Sequence, residues 1–291
     1  MALFIVVIFV MAGNINRNVA KNMKGRILYD EISSDGKSSV VMYDFETGES
    51  VRISEKAGLG SAKNGIFTAS DKAAFIAEDG ERSAIYIYDM EKGSAETVSI
   101  SDGWRYLDID YCAGKDRFVG LCGDGKGWMI EEIAADGTKI SETPVFESEN
   151  AIHALNYSDS GDEVYFVHDN GNGGGTLKSV KDLRVKTLYV SEKSLLTGVE
   201  AANGALLVCE QGKDGRRIAQ YNDKRGSLSI LEFNSDDYEC AAAVAVSSTQ
   251  FIVSADAGGH FEIYVCNGSN MVRAEKINSD KDLIVTDYFL E

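Results

Sequence analysis

Hydrophobic and polar positions along this chain alternate in short runs, and no sustained helical period occurs beyond residue 24. VVMYDFETGESVRI (40 to 53) and AIYIYDMEKGSAETVSI (84 to 100) show one plan. A strand rich in Val, Ile and Tyr meets an acidic stretch, a turn containing Gly and a second short strand, which predicts a β-hairpin. GWMIEEIAADGTKI (127 to 140), RIAQYNDKRGSLSIL (217 to 231) and FEIYVCNGSNMVRAEKI (261 to 277) are looser copies.

The turn glycines set the period. Gly48 to Gly93 is 45 residues, Gly93 to Gly137 is 44, Gly137 to Gly226 is 89 and Gly226 to Gly268 is 42. The 89 spans two periods, so a sixth copy is expected between them, and VKTLYVSEKSLL (185 to 196) offers the same strand without the glycine. Ahead of the copies runs a second pattern, a polar turn followed by an apolar strand. It reads FTASDKAAFIA (67 to 77), YCAGKDRFVGL (111 to 121), YSDSGDEVYFV (157 to 167), EAANGALLVC (200 to 209) and AVSSTQFIVS (245 to 254). Each unit therefore holds four short strands.

The ends indicate how the units close. GRILYDE (25 to 31) opens a unit that lacks its innermost strand, while DLIVTDYFLE (282 to 291) is a strand left over. Pairing the two closes a ring and removes open sheet edges. The expected fold is all-β, a six-bladed β-propeller with four antiparallel strands per blade and the C-terminal strand closing blade one. Two compressed units within 143 to 196 would make seven. The expected organisation is a signal-like segment and polar tether over 1 to 24, then one propeller domain over 25 to 291.

SAIYIYDMEKG (83 to 93) and GGHFEIYVCNGSN (258 to 270) resemble the TolB-like repeat, in which a strand of Ile-Tyr-hydrophobic-hydrophobic type leads into Asp or Asn and a Gly turn. YSDSGDEVYFV is similar to the hairpin that precedes it in that family, and related repeats occur in propellers of prolyl-oligopeptidase-like proteins. The resemblance covers about 25 to 291 through degenerate copies. The family's hairpin proline is missing, with Ala69-Ser70 and Asp159-Ser160 in its place. What the resemblance implies is the six-bladed fold, and function has to be read from the site.

Composition narrows the partners. Net charge is -17, from 46 acids against 29 bases, which opposes binding of nucleic acid and favours cations, basic proteins or basic peptides. Five cysteines without CxxC spacing predict buried thiols rather than a disulfide framework, and neither Cys nor His pairs stand at zinc-ligand spacing. Residues 2 to 12, ALFIVVIFVMA, match a signal-peptide core in length, with Val10-Met11-Ala12 before Gly13 as a cleavage pattern. No Lys or Arg precedes the run; Arg17, Lys21 and Lys24 follow it. Export to a periplasmic, cell-surface or secreted location is the expectation. An uncleaved anchor, giving N-terminal membrane association, and a cytoplasmic location both stay open.

Catalytic signatures are missing: no Gly-x-Ser-x-Gly elbow, P-loop or HExxH is present, and Ser101-Asp102-Gly103-Trp104 has only part of the order of a sialidase aspartate box. His153, His168 and His260 are expected in three different blades and read as surface or strand histidines. Asp169 to Gly175 lacks the ligand spacing of a calcium loop. No catalytic residue, metal site or cofactor is expected.

One pattern recurs in all six units. The connection between second and third strands carries an acid near its start: Asp30 and Glu31, Glu78 and Asp79, Asp124, Asp169, Glu210, and Asp256. These make either an acidic crown at one channel mouth or ordinary polar hairpin ends, and the second reading is preferred. Trp104, Arg105 and Tyr106, which introduce blade three on the same face, form a candidate contact patch, with packing between blades as the alternative. The expected function is non-catalytic binding of a protein, peptide or glycan at that mouth. The alternatives are a hydrolase or lyase whose acids and histidines converge at the channel, and a regulatory propeller cut from a peptidase-like architecture.

Overall fold

A computed structural model describes residues 22–79, 82–101, 103–124, 126–146, 150–256, 258–277 and 279–290. The apolar run at 2 to 12 and most of the tether after it lie outside the described residues, as does Asp102. Among the described residues no helix is long and apolar enough to cross a membrane.

Six four-stranded antiparallel sheets stand around an axis. Blade one holds β1 (Arg26–Ile32), β2 (Ser38–Asp44) and β3 (Ser50–Arg52); a single helical turn, α1 (Ile53–Lys56), leads on. Blade two is β4 (Ala62–Ala69), β5 (Lys72–Asp79), β6 (Arg82–Asp89) and β7 (Ser94–Ile100); blade three is β8 (Arg105–Cys112), β9 (Arg117–Gly123), β10 (Trp128–Ala134) and β11 (Lys139–Phe146). Blade four is β12 (Ile152–Tyr157), β13 (Val164–Asp169), β14 (Gly175–Lys181) and β15 (Arg184–Ser191); blade five is β16 (Leu195–Ala202), β17 (Ala205–Gly212), β18 (Gly215–Asn222) and β19 (Ser227–Ile230). Blade six is β20 (Glu239–Ala245), β21 (Gln250–Asp256), β22 (Phe261–Asn267) and β23 (Asn270–Arg273), and β24 (Asp282–Phe289) follows.

The ring closes as the leftover strand suggested. β24 pairs with β1 from Arg26↔Phe289 to Ile32↔Asp282, with one bulge between Leu28 and Tyr29, and so becomes the innermost strand of blade one. The five turn glycines all take positive φ, between 57° and 87°, which a residue with a side chain adopts at a cost.

The sixth copy lies one strand earlier than expected. Residues 185 to 191 belong to β15, the outermost strand of blade four, and the third strand is β14, 175 to 181. The two join through Asp182 and Leu183, at φ 50° and 61°, a two-residue turn that carries the left-handed conformation without a glycine. That is why the glycine count skipped it.

The core is distributed among the interfaces between blades. Leu28, Val40 and Phe75 pack blade one on blade two. Ile85, Tyr106 and Phe118 pack two on three, and Leu121, Tyr157 and Phe166 pack three on four. Blades four and five meet through Leu177, Leu196 and Val208, five and six through Phe233, Val253 and Cys266, and six and one through Ile27, Ile252 and Val285. Because every second strand is covered on both faces, β1, β9 and β21 are buried almost end to end and read as continuous apolar runs instead of alternating ones. All five cysteines are buried and free.

Candidate functional site

The innermost strands β24, β4, β8, β12, β16 and β20 surround the central channel. Each has one edge paired to a second strand, leaving backbone N–H groups on the other that need acceptors. Side chains of the adjacent blade supply them. Asp287 Oδ2 accepts from Phe67 N at 2.6 Å, linking blade one to two. Asp108 Oδ2 accepts from Leu155 N at 2.8 Å and Asp110 Oδ2 from Tyr157 N at 2.7 Å, linking three to four. Asn156 Oδ1 takes Ala201 N at 2.8 Å, linking four to five, and Ser254 Oγ takes Val285 N at 2.7 Å, linking six to one.

The second oxygens are also engaged. Asp110 Oδ1 accepts from Tyr111 N and Asp287 Oδ1 from Tyr288 N, each at 2.7 Å. Asp108 Oδ1 accepts from Ile109 N at 3.0 Å and from Asn64 Nδ2 at 2.5 Å. Asn64 sits at a bulge in β4 with φ 54°, and its own N–H donates to Asp30 Oδ2 at 2.8 Å, so this one residue joins blades one, two and three. Glu200 is less constrained and receives the Asn156 amide at 3.0 Å.

Burial shapes the electrostatics. Loss of water pushes Asp30, Asp108 and Asp287 up to about 7 and Asp110 to about 6, against the lowering effect of their backbone hydrogen bonds. Glu200 is raised well above the ordinary range, first by burial and then by repulsion from Asp110, Asp287 and Asp108. The upper compartment of the channel, about 280 Å³, is lined by Asn64, Asp108, His153, Thr197 and Glu200, and a lower one of about 300 Å³ by Asp110, Asp159, Glu200 and Asp287 with several aromatic rings. No Lys or Arg stands among the described residues lining either.

The sequence-derived acids occupy the second-strand ends but differ in environment. Asp30 is buried within the ring, and Glu31 is buried beneath Arg52, Ser279 and Lys281. Glu78 is exposed and lies 3.6 Å from Arg105, which places the entry to blade three on the same face as the second-strand ends. Asp124 and Asp256 cap their own turns, accepting from Lys126 N and Gly127 N and from Gly258 N and Gly259 N. Asp169 Oδ1 is 2.7 Å from His153 Nε2, and Glu210 is half-buried opposite Arg217. His153 and His168, expected in different blades, share blade four, because the strands that carry them, β12 and β13, are the two paired arms of one antiparallel hairpin. The Asp79 side chain lies outside the described residues.

The candidate aromatic patch divides. Arg105 is exposed, Trp104 is half-buried against the blade two to three cluster, and Tyr106 is buried with its hydroxyl donating to Glu131 Oε2 at 2.7 Å. The channel residues Asp108, Asp110, Glu200 and Asp287 were missed in the sequence. The signal available was a pair of acids at alternate positions in LDIDY (107 to 111) and a single acid in IVTDY (284 to 288) and in GVEAA (198 to 202), inside otherwise apolar strands.

The architecture defines the class: a closed six-bladed β-propeller with an acid-lined channel. No protein-family model matches the sequence, and no curated protein matches it. Among solved structures, TolB from Acinetobacter baumannii superposes with a TM-score of 0.69 at 12% identity, covering 90% of this chain and 67% of that one. The fold is thus TolB-like. The nidogen chain of a nidogen/laminin complex gives 0.67 at 11% identity, over 91% of this chain and 99% of that one. The acylaminoacyl peptidase of Pyrococcus horikoshii gives 0.54 at 14%, over 85% of this chain, which spans only 43% of that enzyme. Identities this low carry the fold alone.

Proposed function

We propose that this chain is a non-catalytic, exported propeller that binds a protein, peptide or glycan partner, with basic groups favoured, through the loops at the upper channel mouth. The observation that carries the reading is the use made of the channel acids. Both oxygens of Asp108, Asp110 and Asp287 are held by donors of the fold, so these carboxyls act as staples between blades. Acids exposed toward a partner stand at the rim: Glu78, 3.6 Å from Arg105, and Asp124. The likeness to a nidogen chain that was captured with laminin supports a protein partner. Cofactors, metals and nucleic acid have no part in this reading.

A second reading, a hydrolase or lyase, is favoured by one observation: carboxyls raised to about 6 or 7 share the channel with His153. The two separate in a pull-down from the source cell envelope. The full chain as bait should recover a discrete protein, and Glu78→Gln with Asp124→Asn and Asp256→Asn should lose it. Equal recovery by the triple variant sinks the rim reading, whereas turnover of a substrate abolished by Asp108→Asn would establish the enzymatic one.

A further inference from the structure

The lower mouth lies at the opposite end of the channel from the rim acids, where the innermost strands finish and turn into the second strands. Its compartment of about 300 Å³ draws walls from five blades. Phe67, Tyr111, Tyr157, Tyr288 and Phe289 stand in its walls, Phe67 and Tyr157 buried and the others half-buried. Asp110, Asp159, Glu200 and Asp287 contribute carboxyls, and the Thr68 hydroxyl in the wall has no hydrogen-bond partner. Carboxyls and aromatic residues in one cavity, with no Lys or Arg among its described lining residues, suit a positively charged ligand, which aromatic rings and ionising carboxyls both favour. Among the described residues no three His, Cys, Asp or Glu are grouped to hold a metal ion, so the cation suited to these walls is an organic one whose charge is carried on an apolar stem.

We propose that the lower mouth is a binding site for an alkylammonium chain, as carried by a polyamine or by a lysine side chain, with Glu200 as its principal carboxylate and Tyr288 as its outer ring. Glu200 suits this part because it lines both compartments and has a single amide donor, that of Asn156, on one of its oxygens. Burial and the neighbouring carboxyls that hold it above the ordinary range favour its proton, and an arriving cation offsets that repulsion and draws Glu200 into its ionised form. Tyr288 is tied at the opening by its hydroxyl, which donates to Lys24 O at 3.1 Å, so the ring is held in place before a ligand arrives. The site is independent of the rim reading, because none of the rim acids lines it.

The test is calorimetric titration of the full chain with spermidine, with trilysine and with Nε-acetylated trilysine. One saturable site per chain is expected for spermidine. Trilysine binding as well assigns the site to a basic partner's side chain, its failure assigns it to a free polyamine, and binding of the acetylated peptide as tight as trilysine overturns the proposal. Glu200→Gln and Tyr288→Ala should each weaken binding by about tenfold or more, while Tyr288→Phe, which keeps the ring, should retain it. Glu96→Gln, on the outermost strand of blade two and away from both mouths, should change nothing, and it controls for general attraction to a chain of net charge -17. If Glu200→Gln does not fold, Asp159→Asn on the exposed lip reads the same charge. Absence of a saturable site, or losses in the lower-mouth variants no larger than in Glu96→Gln, overturns the assignment.

Discussion

Asp287, on the last strand of the chain, accepts the backbone N–H of Phe67 at 2.6 Å, a contact across 220 residues that ties the closing strand to blade two as well as to blade one. Removing the acceptor strands a buried N–H on β4 and another at Tyr288. Asp287→Ala should therefore cost about 2–3 kcal/mol by urea unfolding near neutral pH. Asp287→Asn keeps one carbonyl acceptor and removes a poorly solvated charge, so it should lie within about 1 kcal/mol of the parent. Equal losses in the two variants would show that the carboxylate charge, and not the acceptor, matters.

Glu31 latches the same junction from outside. Arg52 on β3 meets it through Nε at 2.8 Å and Nη2 at 3.0 Å, and Ser279 Oγ donates at 2.8 Å from the segment that leads into β24. These partners hold its carboxyl below the ordinary range although burial pushes the other way. Glu31→Ala should cost about 2 kcal/mol, discounted because Arg52 is half exposed, and should raise amide exchange in β24 before the other strands. Uniform exchange across all blades would refute a local latch.

How much of this was legible follows from what repeats. The turn glycines and continuous second strands recur in kind, because every blade is sandwiched between two others, and so blade number and closure could be read. The acids at second-strand ends were also visible, but their environments were not: Asp30 sits inside the ring, Glu31 is buried beneath Arg52 and Ser279 on its outer side, and Glu78 is exposed, and adjacent-blade geometry decides this. Asp108, Asp110 and Asp287 each answer an N–H from a strand some 47 or 220 residues away, a need that no local pattern records.

The glycine missing from blade four gives a third prediction. Leu183 holds φ at 61° and is 65% exposed, so its side chain gives little burial in return for a conformation that L-residues avoid. Leu183→Gly should remove that strain, at some cost in unfolded-chain entropy, for a net gain of about 0.5–1 kcal/mol. A melting temperature unchanged or lowered would mean that Leu183 makes a contact worth more than the strain.

The channel acids also fix how stability varies with pH. Asp30, Asp108 and Asp287 at about 7, and Asp110 at about 6, hold their protons longer in the folded ring than in the unfolded chain, where aspartate titrates near 3.8. Folding then binds protons between those values, so the stabilisation is complete below the unfolded value and is lost as pH rises through 6 and 7. Groups held low by hydrogen bonds, such as Glu31, Asp44 and Asp124, act in the opposite sense and lose their contribution only in strong acid. The melting temperature should accordingly rise by several degrees on going from about pH 8 to about pH 5, and fall again below about pH 4. Asp287→Asn should flatten the alkaline side of this curve, because the variant has one proton fewer to lose. A profile that is level between pH 5 and 8 in the parent would mean that these carboxyls stay ionised throughout, their backbone donors outweighing their burial.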